Sequence, residues 1–259
     1  MKKGKDSIPM FDSEKKQRRY YNSIAADYDR HLSNTYALEY RYDLYKKILK
    51  GIDLENLNVL DAMCGGGQAT GFFLNRNASV TGLDISEEQC AIYKERFPRC
   101  DVVCSPMTRT RFPGSTFDVV VTNSLHHLQP HIDEGVREIH RILKPGGYFL
   151  LWEPCAGSLF DIFRRMWYKI DKKYFETNER AVHLKKLTAS FQSQFDPVRE
   201  IYGGNLAYLF IVGAMPLRIN PRYIRYYARP LMALERFFNL LQPPFLSLWV
   251  LALLKKKFE

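Results

Sequence analysis

The chain has 259 residues, 46% hydrophobic and 25% charged, which is enough apolar material for one substantial core and excludes disorder throughout. A net charge of +10 admits an anionic partner, whether nucleic acid, lipid or acidic metabolite, without choosing among them. Five cysteines (Cys64, Cys90, Cys100, Cys104 and Cys155) include no C-x-x-C pair and leave an odd thiol, a usage that excludes a disulfide framework and suits a reducing cytoplasm.

Residues 1–19 are charged and contain no continuous apolar run, so a basic mobile arm is expected there, and neither a secretory nor a transit segment. Residues 20–30 and 36–50 read as two tyrosine-rich helices, the second ended by Gly51, and together 20–51 form a candidate lid. From Asn58 onward short apolar runs alternate with helical periodicity, the pattern of β-α-β units around a parallel sheet. Strands are predicted at 59–62, 79–83, 101–104, 117–122 and 148–152, with helices at 68–74, 87–97 and 132–143 between them. Ser86, followed by Glu87 and Glu88, supplies an N-cap and acidic first-turn residues for the second of these helices. The run Lys144-Pro145-Gly146-Gly147 stops the third and turns the chain.

Beyond Pro154 the alternation weakens. Helices are predicted at 158–170 and 176–191, a strand near 198–202, and a hydrophobic, basic helical insertion at 206–241. Pro243-Pro244 breaks any helix before a closing strand at 246–254. The richest apolar stretches, 206–217 and 245–254, fall short of the roughly 18 to 20 residues of a membrane-spanning helix. The expected division is therefore 1–19 arm, 20–51 lid, 52–154 ligand-binding core, and 155–259 the remainder of the same domain with its insertion.

In open α/β sheets ligands sit beyond the carboxyl ends of the strands, where strand order reverses. The loop leaving the first strand reads Asp61-Ala62-Met63-Cys64-Gly65-Gly66-Gly67, whose glycines let a ligand approach the backbone closely. Asp84 ends the second strand, where a carboxylate can accept hydrogen bonds from both ribose hydroxyls of an adenosine. The dinucleotide pattern G-x-G-x-x-G fails because Thr70 stands at its last position, and no Lys-Ser or Lys-Thr follows the glycines as a Walker loop requires. What remains is a nucleoside without a pyrophosphate, with Asp61 near its amino-acid end.

These features, together with Tyr21-Asn22-Ser23-Ile24-Ala25-Ala26-Asp27-Tyr28-Asp29, Phe117-Asp118-Val119-Val120, Leu125-His126-His127 and Leu143 to Gly147, occur in the order of a known family over residues 20–154. The chain resembles the class I S-adenosylmethionine-dependent methyltransferases of the ubiquinone and menaquinone biosynthesis type. The resemblance implies a Rossmann-like, doubly wound, mostly parallel seven-stranded α/β sheet with helices on both faces. It also implies S-adenosylmethionine as cofactor and Tyr21 and Tyr28 folding over it. Two departures stand out: Met63 replaces the first motif glycine, and Cys104-Ser105-Pro106-Met107 carries no acid for the adenine amino group. Adenine is therefore expected against backbone groups, Ile85, Ser105, Pro106 and Met107. The motif residues Ala62, Met63, Cys64, Gly65 and Gly67 and the strand end Asn123, Ser124 and Leu125 complete the expected cofactor contacts.

Methyl transfer from a sulfonium chiefly needs alignment and dryness, with a proton acceptor adding rate for a hydroxyl or carbon nucleophile. His126 and His127 after the fourth strand, and Glu153 at the end of the fifth, are the candidates. No metal is expected, since no Cys or carboxylate completes a ligand set around the histidines. The expected acceptor is a small, hydrophobic or lipid-like metabolite methylated at oxygen or carbon. A peripheral contact with anionic membrane is expected through Arg218, Arg222, Arg225 and Arg229 of the insertion. One alternative is an RNA or other nucleic-acid methyltransferase, against which stands Thr122-Asn123-Ser124-Leu125 where base-amine enzymes carry Asn or Asp followed by Pro-Pro and an aromatic. The other is a non-catalytic S-adenosylmethionine-binding protein; no obligate protein partner is inferred.

Overall fold

The computed structural model describes residues 8–123, 125–170 and 180–258. In chain order its elements are α1 (Asp12–Leu32), α2 (Thr35–Ile48), β1 (Asn58–Ala62), α3 (Thr70–Leu74), β2 (Ser79–Asp84), α4 (Glu87–Arg96), β3 (Asp101–Cys104), β4 (Phe117–Asn123), α5 (Ile132–Ile142) and β5 (Leu143–Pro154). They continue with α6 (Leu159–Ile170), α7 (Leu184–Ser190), β6 (Phe195–Gly203), α8 (Leu206–Ile211), α9 (Ala228–Asn239) and β7 (Trp249–Lys256).

The strands form one seven-stranded sheet in the order β3-β2-β1-β4-β5-β7-β6. All pairs are parallel except those of β7, which runs antiparallel to both β5 and β6. Side chains alternate across the central strands, and both faces are covered. Val59, Val119, Val121, Leu150, Leu251 and Leu253 pack on one side with α2, α3, α8 and α9. Leu60, Val120, Phe149, Leu151, Ala252 and Leu254 pack on the other with α5 and α7. Burial on both faces is why these strands read as continuous apolar runs. Strand order reverses between β1 and β4, so the crevice beyond their carboxyl ends is open to a ligand.

Three local expectations change. The first helix begins at Asp12, inside the segment expected as an arm, because Glu14 and Gln17 are buried against the core, and such a polar inner face is invisible to a search for apolar periodicity. Residues 1–7 lie outside the described chain. Strand β5 takes in the 144–147 turn, with Gly146 at φ +74° and a register shift opposite Phe117/Val119. Of the helix expected at 176–191, the part before residue 180 lies outside the described residues, and α7 covers Leu184–Ser190.

Candidate functional site

The loop after β1 turns through three left-handed residues, Met63 (φ 55°), Gly65 (φ 52°) and Gly67 (φ 86°). Met63 thus takes the left-handed conformation that glycine adopts most readily, at a backbone cost of about 1–2 kcal/mol for a residue bearing a Cβ. Gly67 faces the Phe97 ring so closely that no side chain fits. The loop is pinned by Asp84 at the end of β2: the Gly65 amide donates to its Oδ2 at 2.8 Å, and the Ser86 amide donates to its Oδ1 at 2.9 Å. Asp84 is buried, which raises its pKa against these hydrogen bonds, and a carboxylate holding two donors keeps lone pairs for two more.

A first cavity opens beside this loop, walled by Met63, Gly65, Asp84, Ile85, Ser105 and Met107. Tyr21 and Tyr28 of α1 close it from above. Glu14 and Gln17, two turns and one turn before Tyr21 on α1, also line it; Glu14 accepts from the Thr108 hydroxyl and Gln17 donates to the His127 carbonyl. The space left beneath α1 is about 50 Å³, room for a few waters.

The other expected cofactor residues are placed differently. Ala62 and Leu125 lie in the core with no exposure, Cys64 packs against Tyr93 and Cys100, and Pro106 is buried behind Ser105. Asn123 lines a neighbouring cavity and accepts from the Tyr45 hydroxyl at 2.9 Å, while Ser124 lies outside the described residues. Asp61 is fully buried under the glycine loop. Its Oδ2 accepts from the Thr70 hydroxyl at 2.7 Å, and its Oδ1 has no hydrogen-bond partner among the described residues. Burial lifts its pKa to about 7. An orphaned buried carboxylate oxygen beside a glycine cradle fits the cationic amino-acid end of S-adenosylmethionine.

The second cavity, about 190 Å³, adjoins the first through Tyr21, Tyr28 and His127, which line both. An apolar cavity of about 150 Å³ holds benzene, so this space admits part of an organic acceptor. Its polar floor is built from two strand ends. Glu153, buried on β5, accepts from the Leu125 and His126 amides and meets His126 Nδ1 at 3.0 Å. Burial again dominates and lifts Glu153 to about 7. The His126 and His127 rings stand 4.1 Å apart, and His127 lies 3.0 Å (Nε2) and 3.2 Å (Nδ1) from the Tyr21 hydroxyl. Among the described residues no group of three His, Cys, Asp or Glu is placed to hold a metal ion.

Among the residues that escaped the sequence reading, Arg41, Trp152 and Tyr208 all line the second cavity. Arg41 sits in a charged helical stretch that reads as solvated, and only the packing of α2 on the sheet buries it.

The raised carboxyls carry a stability signature. A carboxyl whose pKa is higher in the folded state than in the unfolded chain binds more protons when folded, so its contribution is complete below about pH 4 and is lost as pH rises through the folded value. With Asp61 and Glu153 both near 7, the ligand-free protein is expected to melt several degrees lower at pH 8 than at pH 5.5. Asp61→Asn should flatten part of that slope in thermal unfolding followed by circular dichroism. A melting temperature that rises across this interval would contradict the burial account.

Residues 59–147 match a family model described as a methyltransferase domain, about a third of the chain. Curated relatives align over a similar stretch. The phthiotriol/phenolphthiotriol dimycocerosates methyltransferase of Mycobacterium tuberculosis is 35% identical over 113 residues, 41% of this chain and 41% of that protein. A fatty-acid O-methyltransferase of Mycolicibacterium smegmatis is 31% identical over 127 residues, 48% of this chain and 46% of its own. A sterol 4-C-methyltransferase of Caenorhabditis elegans is 32% identical over 122 residues, 44% and 36% respectively. The matches thus span less than half the length of these relatives. Among solved structures, the [4+2]-cyclase SpnF superposes with a TM-score of 0.65 at 17% identity, covering 98% of this chain and 100% of its own. The 1,6-didemethyltoxoflavin-N1-methyltransferase of Burkholderia thailandensis, solved with S-adenosylhomocysteine, gives 0.58 at 16% identity, covering 97% and 93%. At such identities the superpositions establish the fold, which extends over nearly the whole chain.

Proposed function

From a core that carries a methyltransferase domain, we propose that this protein is a class I S-adenosylmethionine-dependent methyltransferase acting on oxygen or carbon of a small, apolar or lipid-like acceptor. The observation that carries the reading is the junction of the two cavities at His127. One cavity has a glycine cradle and a strand-end aspartate, the other an aromatic wall and a buried carboxylate-histidine pair.

S-adenosylmethionine, when bound, supplies an electrophilic sulfonium methyl. The chain's own residues do the rest. Asp84 would accept from the ribose hydroxyls with its two remaining lone-pair positions. Met63, Ile85 and Met107 would give the adenine an apolar slot, and Asp61 would supply the charge for the amino group. Glu153 accepts from the Nδ1–H of His126 and so leaves Nε2 with its lone pair, able to take a proton from an acceptor hydroxyl or activated carbon. Tyr21 and Tyr28 on α1 exclude water.

The lipid-like acceptor is supported by the relatives that act, by name, on phthiotriol dimycocerosates, fatty acids and sterols. A polyprenyl-quinone acceptor, as the ubiquinone and menaquinone resemblance implies, belongs to the same apolar class. The test is incubation of the purified chain with methyl-labelled cofactor and a panel of dodecanoate, a sterol, a polyprenyl hydroquinone and total RNA. Label is expected in the organic extract of at least one apolar acceptor and absent from RNA. Labelled RNA alone would move the chain to the nucleic-acid alternative, and cofactor binding without any labelled product to the non-catalytic one.

Access to such acceptors has a candidate surface. No described helix is long and apolar enough to cross a membrane. However, Ile162, Phe163, Met166 and Ile170 of α6 and Leu240, Leu241 and Phe245 after α9 are each more than half exposed, and α6 packs against the Pro244–Leu246 turn. The acids of α6 and α9, Asp161 and Glu235, are buried, whereas Arg165 and Arg236 are exposed at the surface while pairing with Asp161 and Asp43, so the face offers apolar side chains edged by basic ones to an anionic lipid surface. The arginines expected to serve are partly engaged, since Arg222 and Arg225 lie over Tyr223 and Tyr226. Co-sedimentation with phosphatidylglycerol vesicles at low salt is expected, and Phe163→Ser with Phe245→Ser should abolish it. Wild-type protein left in the supernatant would remove the membrane from the account.

A further inference from the structure

Arg41 is 5% exposed and lies in the second turn of α2. Its guanidinium carbon stands 4.7 Å from the centroid of the Trp152 ring. Among the described residues its one polar contact is a long one, Nη1 donating to the Tyr45 hydroxyl at 3.5 Å. Among the same residues its Nε has no hydrogen-bond partner and no carboxylate forms an ion pair with it. A buried guanidinium has five N–H donors and is costly without a counter-charge. Arg41 also lines the second cavity and is the one arginine or lysine lining either cavity among the described residues. Neither nearby carboxylate pairs with it: Glu153 holds the Leu125 and His126 amides, and Asp61 holds Thr70 through Oδ2, with Oδ1 unpartnered among the described residues.

We propose that Arg41, set over the Trp152 ring and fronting the second cavity, is the carboxylate-binding subsite of this protein. A guanidinium placed against an aromatic ring keeps N–H donors for a carboxylate, which arginine can bind bidentately. Two ligands bring that group to this cavity. One is the amino-acid end of the cofactor, whose ammonium would face the unpartnered Oδ1 of Asp61 while its carboxylate meets Arg41, a pairing consistent with the Arg41 charge acting on Asp61 across the site. The other is an acidic acceptor with an apolar tail. The inference rests on the methyl-transfer reading of the two cavities and names a residue that reading did not need.

The test is calorimetric and uses the whole chain. S-adenosylhomocysteine and 5′-methylthioadenosine, the same nucleoside without the amino-acid end, are titrated into wild-type, Arg41→Gln and Arg41→Lys proteins. Dodecanoate and dodecanol are then titrated into each protein saturated with S-adenosylhomocysteine. If the cofactor supplies the carboxylate, Arg41→Gln weakens S-adenosylhomocysteine by about 10- to 100-fold and leaves methylthioadenosine unchanged, with Arg41→Lys intermediate. If the acceptor supplies it, S-adenosylhomocysteine binds all three proteins equally, and wild type prefers dodecanoate to dodecanol by a similar factor that Arg41→Gln erases. Retained methylthioadenosine binding shows that each variant is folded. Variants matching wild type on every ligand overturn the Arg41 assignment and leave the methyl-transfer reading standing. A wild-type protein that binds neither nucleoside defeats that reading itself, and this inference with it.

Discussion

Replacing Asp84 by alanine is expected to lower the affinity for S-adenosylhomocysteine by two orders of magnitude or more while leaving the fold in place. A hydrogen bond to a charged group contributes about 1.5–3 kcal/mol, so losing two to the ribose hydroxyls amounts to roughly 3–6 kcal/mol, or about 10²- to 10⁴-fold. The substitution also removes the acceptor of the Gly65 amide, so the loop that cradles the ligand loses its pin from β2. That loss adds to the binding defect. It should not unfold the chain, because the penalty of the two unsatisfied amides of Gly65 and Ser86, about 1–3 kcal/mol each, is partly offset by removing a carboxylate that burial disfavours. Asp84→Asn retains one acceptor oxygen and should fall between. Isothermal titration measures the affinity and circular dichroism checks the fold; an alanine variant with wild-type affinity would take Asp84 out of the site.

The second large effect is expected at Glu153, and it falls on turnover rather than on cofactor affinity. In Glu153→Gln the side chain can still accept from the Leu125 amide, but its NH2 opposes His126, where it donates to Nδ1 and forces the proton onto Nε2. The imidazole then presents a donor where a base is required, and kcat should drop by about 10²- to 10⁴-fold with S-adenosylhomocysteine affinity nearly unchanged. The pH profile supplies a separate readout. A carboxyl titrating near 7 loses its proton as pH rises, so the wild-type rate should climb between pH 6 and 8. The Gln variant should lose that limb. A variant whose kcat and pH profile both match wild type would reduce Glu153 to a support for the 125–128 turn.

The elements most legible in the sequence were those whose residues do their work locally. Two apolar residues, Val59 and Leu60, followed by Asp61 and a glycine run describe a strand and the turn that leaves it, because strand period and left-handed turns are properties of a few consecutive residues. Ser86 with its acidic followers likewise marked the start of α4 from neighbours alone, and its hydroxyl does accept from the Gln89 amide. Even the Met63 departure was visible, although only the backbone angle shows that this residue is left-handed.

What the tertiary structure decided depends on residues far apart in the chain. Gln17 meets the His127 carbonyl across 110 positions and Glu153 meets His126 across 27, so neither contact leaves a trace in local periodicity. Arg41 reads as one charge among several on a mixed helix, and its burial follows only once α2 lies against Trp152 on β5. In the same way the exposed apolar face of α6 reads as core until the sheet closes without it. Sequence by itself determined the sheet, its turns and the nucleoside end of the site. The charge pairs and aromatic walls around the reacting end were decided by how the sheet closes, since electrostatic and packing energies depend on separation in space and not along the chain.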